Sequence, residues 1–216
     1  MAKKATRARK RGAGGSAAGP RDPVDAALEL AAVQGWRHSS LGDIAAAAGL
    51  SLAELYQRYP SKAALLAGFV QRIDAAVLAA GPADPGESVK DRLFDVIMRR
   101  LDALAPYKLG VRSILRDGWR DAGSATPAAL LPVWRSLEWM LAAAGLETGG
   151  LAGVFRRKGL ALIYADVLRV WLNDDSSDMA KTMAALDRRL RQADSLMRLC
   201  RGRRRAEASD AAEEHT

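Results

Sequence analysis

Ser40-Leu41-Gly42-Asp43-Ile44-Ala45-Ala46-Ala47-Ala48-Gly49-Leu50-Ser51-Leu52-Ala53-Glu54-Leu55-Tyr56-Gln57-Arg58 is the stretch on which the fold turns. A serine followed three residues later by an acid occurs twice, at Ser40/Asp43 and Ser51/Glu54. Each pair is a capping-box pattern that opens a helix. The first helix runs to Ala48 and is stopped by Gly49, a residue that tolerates the left-handed conformation of a helix end. The second runs to about Arg58. Two short helices joined by a tight Gly-Leu-Ser turn make a helix-turn-helix candidate. Ile44, Ala48, Leu50 and Leu55 are its locking apolar positions, which leaves Leu52, Ala53, Glu54, Gln57 and Arg58 on the surface of the second helix.

Upstream, Asp22 is a good N-cap and Pro23 suits a first helical position, with Val24, Ala27, Leu28 and Ala31 at helical spacing and Gly35 as the stop. Downstream, Ser61 caps a helix from Lys62 to about Ala80, and Gly81-Pro82-Ala83-Asp84-Pro85-Gly86 breaks the chain. Ser88 and Asp91 then open a helix to about Leu104, with Val89, Leu93, Val96, Ile97 and Leu101 on its inner face. Pro106 interrupts it, and further helices are expected from Tyr107 to about Trp119, from Thr126-Pro127 through Ala144, from Leu151 to Leu172, and from the Asn173–Asp178 run onward. No sustained alternation of β-branched residues competes. The expectation is an all-α chain: a helix-turn-helix head over 22–80 and a helical-bundle body over 88–198.

The net charge of +8 is unevenly spread. Residues 1–21 carry Lys3, Lys4, Arg7, Arg9, Lys10, Arg11 and Arg21 without an acid, and Arg198, Arg201, Arg203, Arg204 and Arg205 precede four acids at the other end, leaving 22–197 neutral. Like charges among Gly, Ala and Ser cannot bury apolar surface, so 1–21 is expected to be a disordered basic arm that contacts polyanions, and 199–216 a disordered tail. Gly12–Gly19 is too polar for a secretory h-region, and the basic stretch lacks the Leu, Ile or Phe of an amphipathic transit helix. With 49% apolar residues, one cysteine (Cys200) and no apolar run near the roughly 18–20 residues of a bilayer helix, the chain reads as a reduced, cytoplasmic globular protein.

Catalysis finds little support. His38 and His215 have no obvious nucleophile or metal-ligand partner, and no phosphate-binding glycine fingerprint is present. The Asp174-Asp175-Ser176-Ser177-Asp178 run is ordinary capping chemistry. No enzyme, cofactor or metal is expected. Trp119, Trp134, Trp139, Tyr164 and Trp171 could line an apolar pocket among the body helices. Met179, Met183, Leu186, Leu190, Ala193 and Met197 form a seam on the last helix, either internal core or an interface with a second copy.

Gly35-Trp36, Ser40–Ala45, Ala48-Gly49-Leu50-Ser51, Leu55-Tyr56 and Tyr59-Pro60-Ser61-Lys62-Ala63-Ala64-Leu65-Leu66, in unbroken register, resemble the head of the tetracycline-repressor (TetR) family of bacterial transcriptional regulators. The resemblance covers 23 to about 70. It implies a homodimeric repressor whose heads dock on a palindromic operator in double-stranded DNA and release on binding a small apolar effector, isoprenoid or lipid in character. DNA contacts would come from Ser40, Ser51, Leu52, Ala53, Glu54, Tyr56, Gln57, Arg58 and Lys62, with Tyr56 and Lys62 similar to the family's backbone-contacting pair. The final helices would form the dimer. Glu54 faces phosphates that repel it, and two escapes are open: folding back on Ser51 as a capping partner, which carries the greater weight, or accepting from cytosine N4.

Leu101–Tyr107, Arg157–Tyr164, Trp171–Asp178 and Ala185–Leu190 carry a second resemblance, to the ubiquinone-biosynthesis accessory family called Coq nine. That family is similar to TetR proteins in fold and binds lipids at a membrane surface. The rival expectation is thus a lipid-binding accessory protein with a degenerate head and a peripheral membrane contact through its basic last helix.

Overall fold

The computed structural model describes residues 20–120 and 127–213, with side chains described for 20–118 and 131–197. The helices are α1 (Pro23–Gln34), α2 (Leu41–Ala48), α3 (Leu52–Arg58), α4 (Lys62–Ala79), α5 (Val89–Leu104), α6 (Lys108–Arg120), α7 (Pro127–Ala143), α8 (Gly150–Leu172) and α9 (Ala180–Glu213), with a 3₁₀ turn at Ala105–Tyr107. No strand occurs among the described residues, so the chain is all-α. The expected basic arm at 1–21 lies outside the described residues except for Pro20 and Arg21.

The caps read from sequence are formed. The Asp22 carboxylate accepts from Val24 N at 2.7 Å, and the Ser61 and Ser88 hydroxyls accept from Ala64 N and Asp91 N at 3.1 and 3.2 Å. Each satisfies a backbone donor that the first turn of a helix leaves orphaned. Gly49 and Gly145 close α2 and α7 at φ +70° and +68°, where a Cβ would be strained.

One hydrophobic core runs from head to body. Val24, Leu28, Ile44, Leu55, Leu65 and Phe69 continue through Ile73, Val96, Ile97 and Leu101 to Met140, Val167, Trp171 and Leu186. Phe69 meets Tyr107 edge-on at 5.2 Å. Arg72 of α4 binds Asp22 and Asp25 at the start of α1, at 2.7 and 2.5 Å. A polar knot is buried beside this core: Arg100 of α5 pairs with Asp74 of α4 and donates to Tyr164 Oη of α8 at 3.1 Å, while Ser136 of α7 donates to Asp74 at 2.5 Å.

Three expectations change. Val89 is exposed, not on the inner face of α5, because it sits at the first helical position beyond the reach of the core. The seam of α9 divides: Leu186 and Leu190 are buried within the chain, Met179, Met183 and Ala193 are half-buried, and Met197 is exposed. Its first half is therefore intramolecular core, not a surface for a second copy. Finally, α9 continues to Glu213 through the segment expected to be a disordered tail. Arg203 to Glu213 is rich in Ala, Arg and Glu, with Arg203/Glu207 at the i, i+4 spacing that supports a helix. No helix among the described residues is long and apolar enough to cross a membrane.

Candidate nucleic-acid interface

The two capping boxes build the site. Ser40 N donates to Asp43 Oδ2 at 2.9 Å while Asp43 N donates to Ser40 Oγ at 3.1 Å. Ser51 N likewise donates to Glu54 Oε2 at 2.8 Å, and Glu54 N to Ser51 Oγ at 3.2 Å. The Ser51 hydroxyl and its backbone N–H hold the Glu54 carboxyl below its ordinary pKa. Of the two escapes open to Glu54, the structure shows the first: Oε2 accepts from both the N–H and the hydroxyl of Ser51 at its own helix start. Between the boxes, Leu50 N closes the turn on Ala45 O at 2.9 Å.

Within α3 only Leu55 is buried, and fully so. Leu52, Ala53, Glu54, Tyr56, Gln57 and Arg58 are all exposed, Leu52 at 56% and Tyr56 at 65%. Ser40 and Ser51 are exposed too, each with its hydroxyl committed to a cap. One anchor residue thus holds a helix that presents every other side chain to solvent. Tyr59 then turns the chain toward α4, its ring lying over Gly68 so closely that a Cβ there would sit 2.8 Å from it.

Lys62 has a structural role beside the one that the resemblance implies. Its ammonium donates to the carbonyls of Trp36 and Ser39, the latter at 2.9 Å, and stacks over the Trp36 ring at 4.3 Å from its centroid. Burial pushes its pKa down, against the pull of Asp117. The residue ties the turn between α1 and α2 to α4, and two of the three ammonium donors are engaged by those carbonyls.

Sequence reasoning missed what grips that turn from the other side. Ser113 Oγ of α6 accepts from Trp36 N at 3.0 Å, and Asp117 Oδ2 accepts from Arg37 N at 3.0 Å. Above them Gly110 lets α6 lie directly on α1; a Cβ there would meet Leu28 O at 2.7 Å. At its other end α6 reaches the corner between α8 and α9, where Lys108 donates to Asp174 O and Arg112 to Leu172 O. The spacing of three and four in Gly110, Ser113 and Asp117 was the available signal: small and polar residues share the helix face where an apolar stripe would stand. Gly110→Ala is expected to force α6 off α1, lowering stability by about 1–3 kcal/mol. The amides of Trp36 and Arg37 should then exchange faster with solvent deuterium, and an unchanged exchange rate would deny α6 this grip.

The body aromatics whose side chains are described have different surroundings. The side chain of Trp119 lies outside the described residues. Trp171 is fully buried core with Lys108 Nζ 5.3 Å from its ring centroid, and Tyr164 is buried in the Arg100 knot. Trp134 is half-buried beneath Arg157, 5.4 Å from its centroid, while Trp139 is 55% exposed. Their helices point them in different directions, which a list of residue types cannot convey. A cleft of about 500 Å³ opens along the α1–α6 seam, lined by Asp22, Asp25, Leu28, Pro106, Tyr107 and Leu109 among others, and none of the four described aromatics belongs to it.

Residues 24–68 match the family model of bacterial regulatory proteins of the tetR family. The head is similar to the helix-turn-helix of TetR-family regulators. Residues 126–197 match the COQ9 family model, so the TetR-type head is carried on a COQ9-like body. The structure is similar to that of a TetR transcriptional regulator from Nitrosomonas europaea, with 28% identity, a TM-score of 0.63, and coverage of 80% of this chain and 95% of that one. A TetR transcriptional regulator from Rhodococcus sp. RHA1 shares the fold at 23% identity and a TM-score of 0.58, with coverage of 79% and 92%. No curated protein matches the chain.

Proposed function

We propose that the chain is a transcriptional regulator of the TetR type, a cytoplasmic repressor without catalytic activity that binds a palindromic operator as a homodimer. The observation that carries this reading is the exposure of every α3 residue except Leu55 on a helix fixed at its start by the Ser51/Glu54 box. Such a helix can enter the major groove while Tyr56 and Arg58 reach phosphates on its flanks. A second copy would cover Leu151, Phe155 and Leu162 of α8 and Leu196 and Met197 of α9, all of them exposed. Leu151, Phe155 and Leu162 recur at intervals of four and seven, one face of a helix. A small apolar effector held by the body would act by favouring one orientation of the heads. The grip of α6 on the turn before α2 supports this, since it gives a rearranged body a rigid route to the reading helix.

Selection from random-sequence duplexes by the purified full chain tests the reading. A two-fold symmetric sequence should emerge and bind at least about 10³-fold more tightly than its scrambled version. Arg58→Ala should weaken both and reduce the salt slope by about 1, the signature of one lost phosphate contact. Equal affinity for selected and scrambled DNA would end the proposal.

A second reading, a lipid-binding accessory protein, is favoured by the COQ9 match over 126–197 and by the exposed apolar face of α8. Flotation with anionic vesicles, together with no enrichment of any duplex, would put it first.

A further inference from the structure

The side chains of α3 allow a prediction about which bases it reads, resting on the DNA-binding proposal above. Successive residues of a helix rotate by about 100°. With Leu55 pointing into the core, Ala53 and Gln57 lie on the opposite side, aimed most directly outward. Leu52 and Tyr56 flank them on one side, Glu54 and Arg58 on the other.

The flank of Glu54 and Arg58 is poorly equipped for base reading. Glu54 Oε2 is drawn back on Ser51 N and Oγ at 2.8 and 2.7 Å, which holds the carboxylate at its own helix start and commits one of its two oxygens there instead of to a cytosine amino group. Arg58 closes the helix, attracted to Glu54, and is the residue that the reading above assigns to phosphate. What remains is Ala53 and the Gln57 amide on the outward side, with Leu52, apolar and exposed, on the flank beside Tyr56. In the major groove the apolar partner is the thymine 5-methyl group, and the partner of a glutamine amide is the N6/N7 edge of adenine.

We propose that this face selects A·T base pairs at the centre of each half-site, with Leu52 and Ala53 packed against thymine methyls and Gln57 bidentate on an adenine. Leu52 is 56% exposed and contributes nothing to the core, so its apolar surface finds cover in the groove. Leu52 and Gln57 are the specificity-determining residues of the operator.

The test uses the full chain and the duplex it enriches from a random-sequence pool. That duplex is then synthesised with deoxyuridine in place of thymidine in the half-site centres, which deletes the 5-methyl groups and leaves every hydrogen bond unchanged. The wild-type chain should bind the deoxyuridine duplex about fourfold more weakly for each contacted methyl. Leu52→Ser should bind the thymidine duplex more weakly and lose less on the exchange to deoxyuridine, only Ala53 contact remaining. Gln57→Ala should lose at least fivefold in its preference for adenine over guanine at one position of the half-site. All three positions are exposed, so unchanged melting curves should accompany these losses. Equal affinity for the thymidine and deoxyuridine duplexes, or an enriched half-site with G·C pairs at its centre, overturns the inference and leaves DNA binding intact. No enrichment overturns both.

Discussion

Replacing Asp74 with alanine is expected to cost the fold about 3–5 kcal/mol, the range for stripping one partner from a buried ion pair. Arg100 is 4% exposed, and its guanidinium is always charged. Asp74 supplies the carboxylate that pairs with it, Tyr164 Oη accepts from its Nε, and Ser136 adds a hydrogen bond to the same Asp74 oxygen. Without Asp74 the cation stays buried with a phenol oxygen as its remaining named partner, and Ser136 loses its acceptor. The effect should appear as a lower urea midpoint at an unchanged slope, since the surface exposed on unfolding hardly alters. The double variant Asp74→Leu/Arg100→Met separates causes: with both charges gone, most of the stability should return. A loss under about 1 kcal/mol for the single variant would show that the cation relaxes to water, and the knot would not be a structural tie. The position of the knot matters for function as well. It joins α4, α5, α7 and α8, and α4 begins at Lys62, inside the head. One helix is thus fixed to the head at its start by Lys62 and to the body further along by Asp74.

What the sequence made legible is what short-range chemistry decides. The serine-acid boxes at Ser40/Asp43 and Ser51/Glu54, the Asp22 cap and the glycine stop at Gly49 each involve residues within four positions of one another, and all are formed. Hence the helix-turn-helix could be read directly, down to the folding back of Glu54. Contacts between distant segments left no such trace. Lys62 has a motif position that suggests phosphate, yet its partners are carbonyls 23 and 26 residues away. The tryptophans share a residue type and no destination: Trp171 is core and Trp139 is surface, because the facing of a helix is set by the neighbours it packs on. Ser113 and Asp117 read as unremarkable polar residues of an amphipathic helix until the turn 77 to 80 positions earlier is placed against them. The exposed face of α8 was hidden for another reason. Its apolar residues point both inward and outward, so no single stripe stands out in the sequence of Gly150–Leu172.

Leu55→Ala is the substitution expected to damage the proposed site most. A helix of seven residues is far below the length that holds together alone in water, where about 12–15 residues are marginal. Two things keep α3 folded: the Ser51/Glu54 box at its start and the burial of Leu55 among the residues of the head core. Truncating a fully buried leucine costs about 2–5 kcal/mol, depending on how far the cavity collapses. Because α3 has no second buried side chain to share the load, the loss should fall on this helix before the rest of the chain. Amides of α3 should exchange at nearly unfolded rates while those of α5, fixed by Val96, Ile97 and Leu101, remain protected. Affinity for the selected duplex should fall by well over tenfold, since Ala53 and Gln57 share a face only while the segment is helical. Gln57→Ala supplies the contrast, with altered base preference and unaltered α3 exchange. If Leu55→Ala frayed α3 as described and yet kept its affinity for the selected duplex, another surface of the chain would have to be the one that meets DNA.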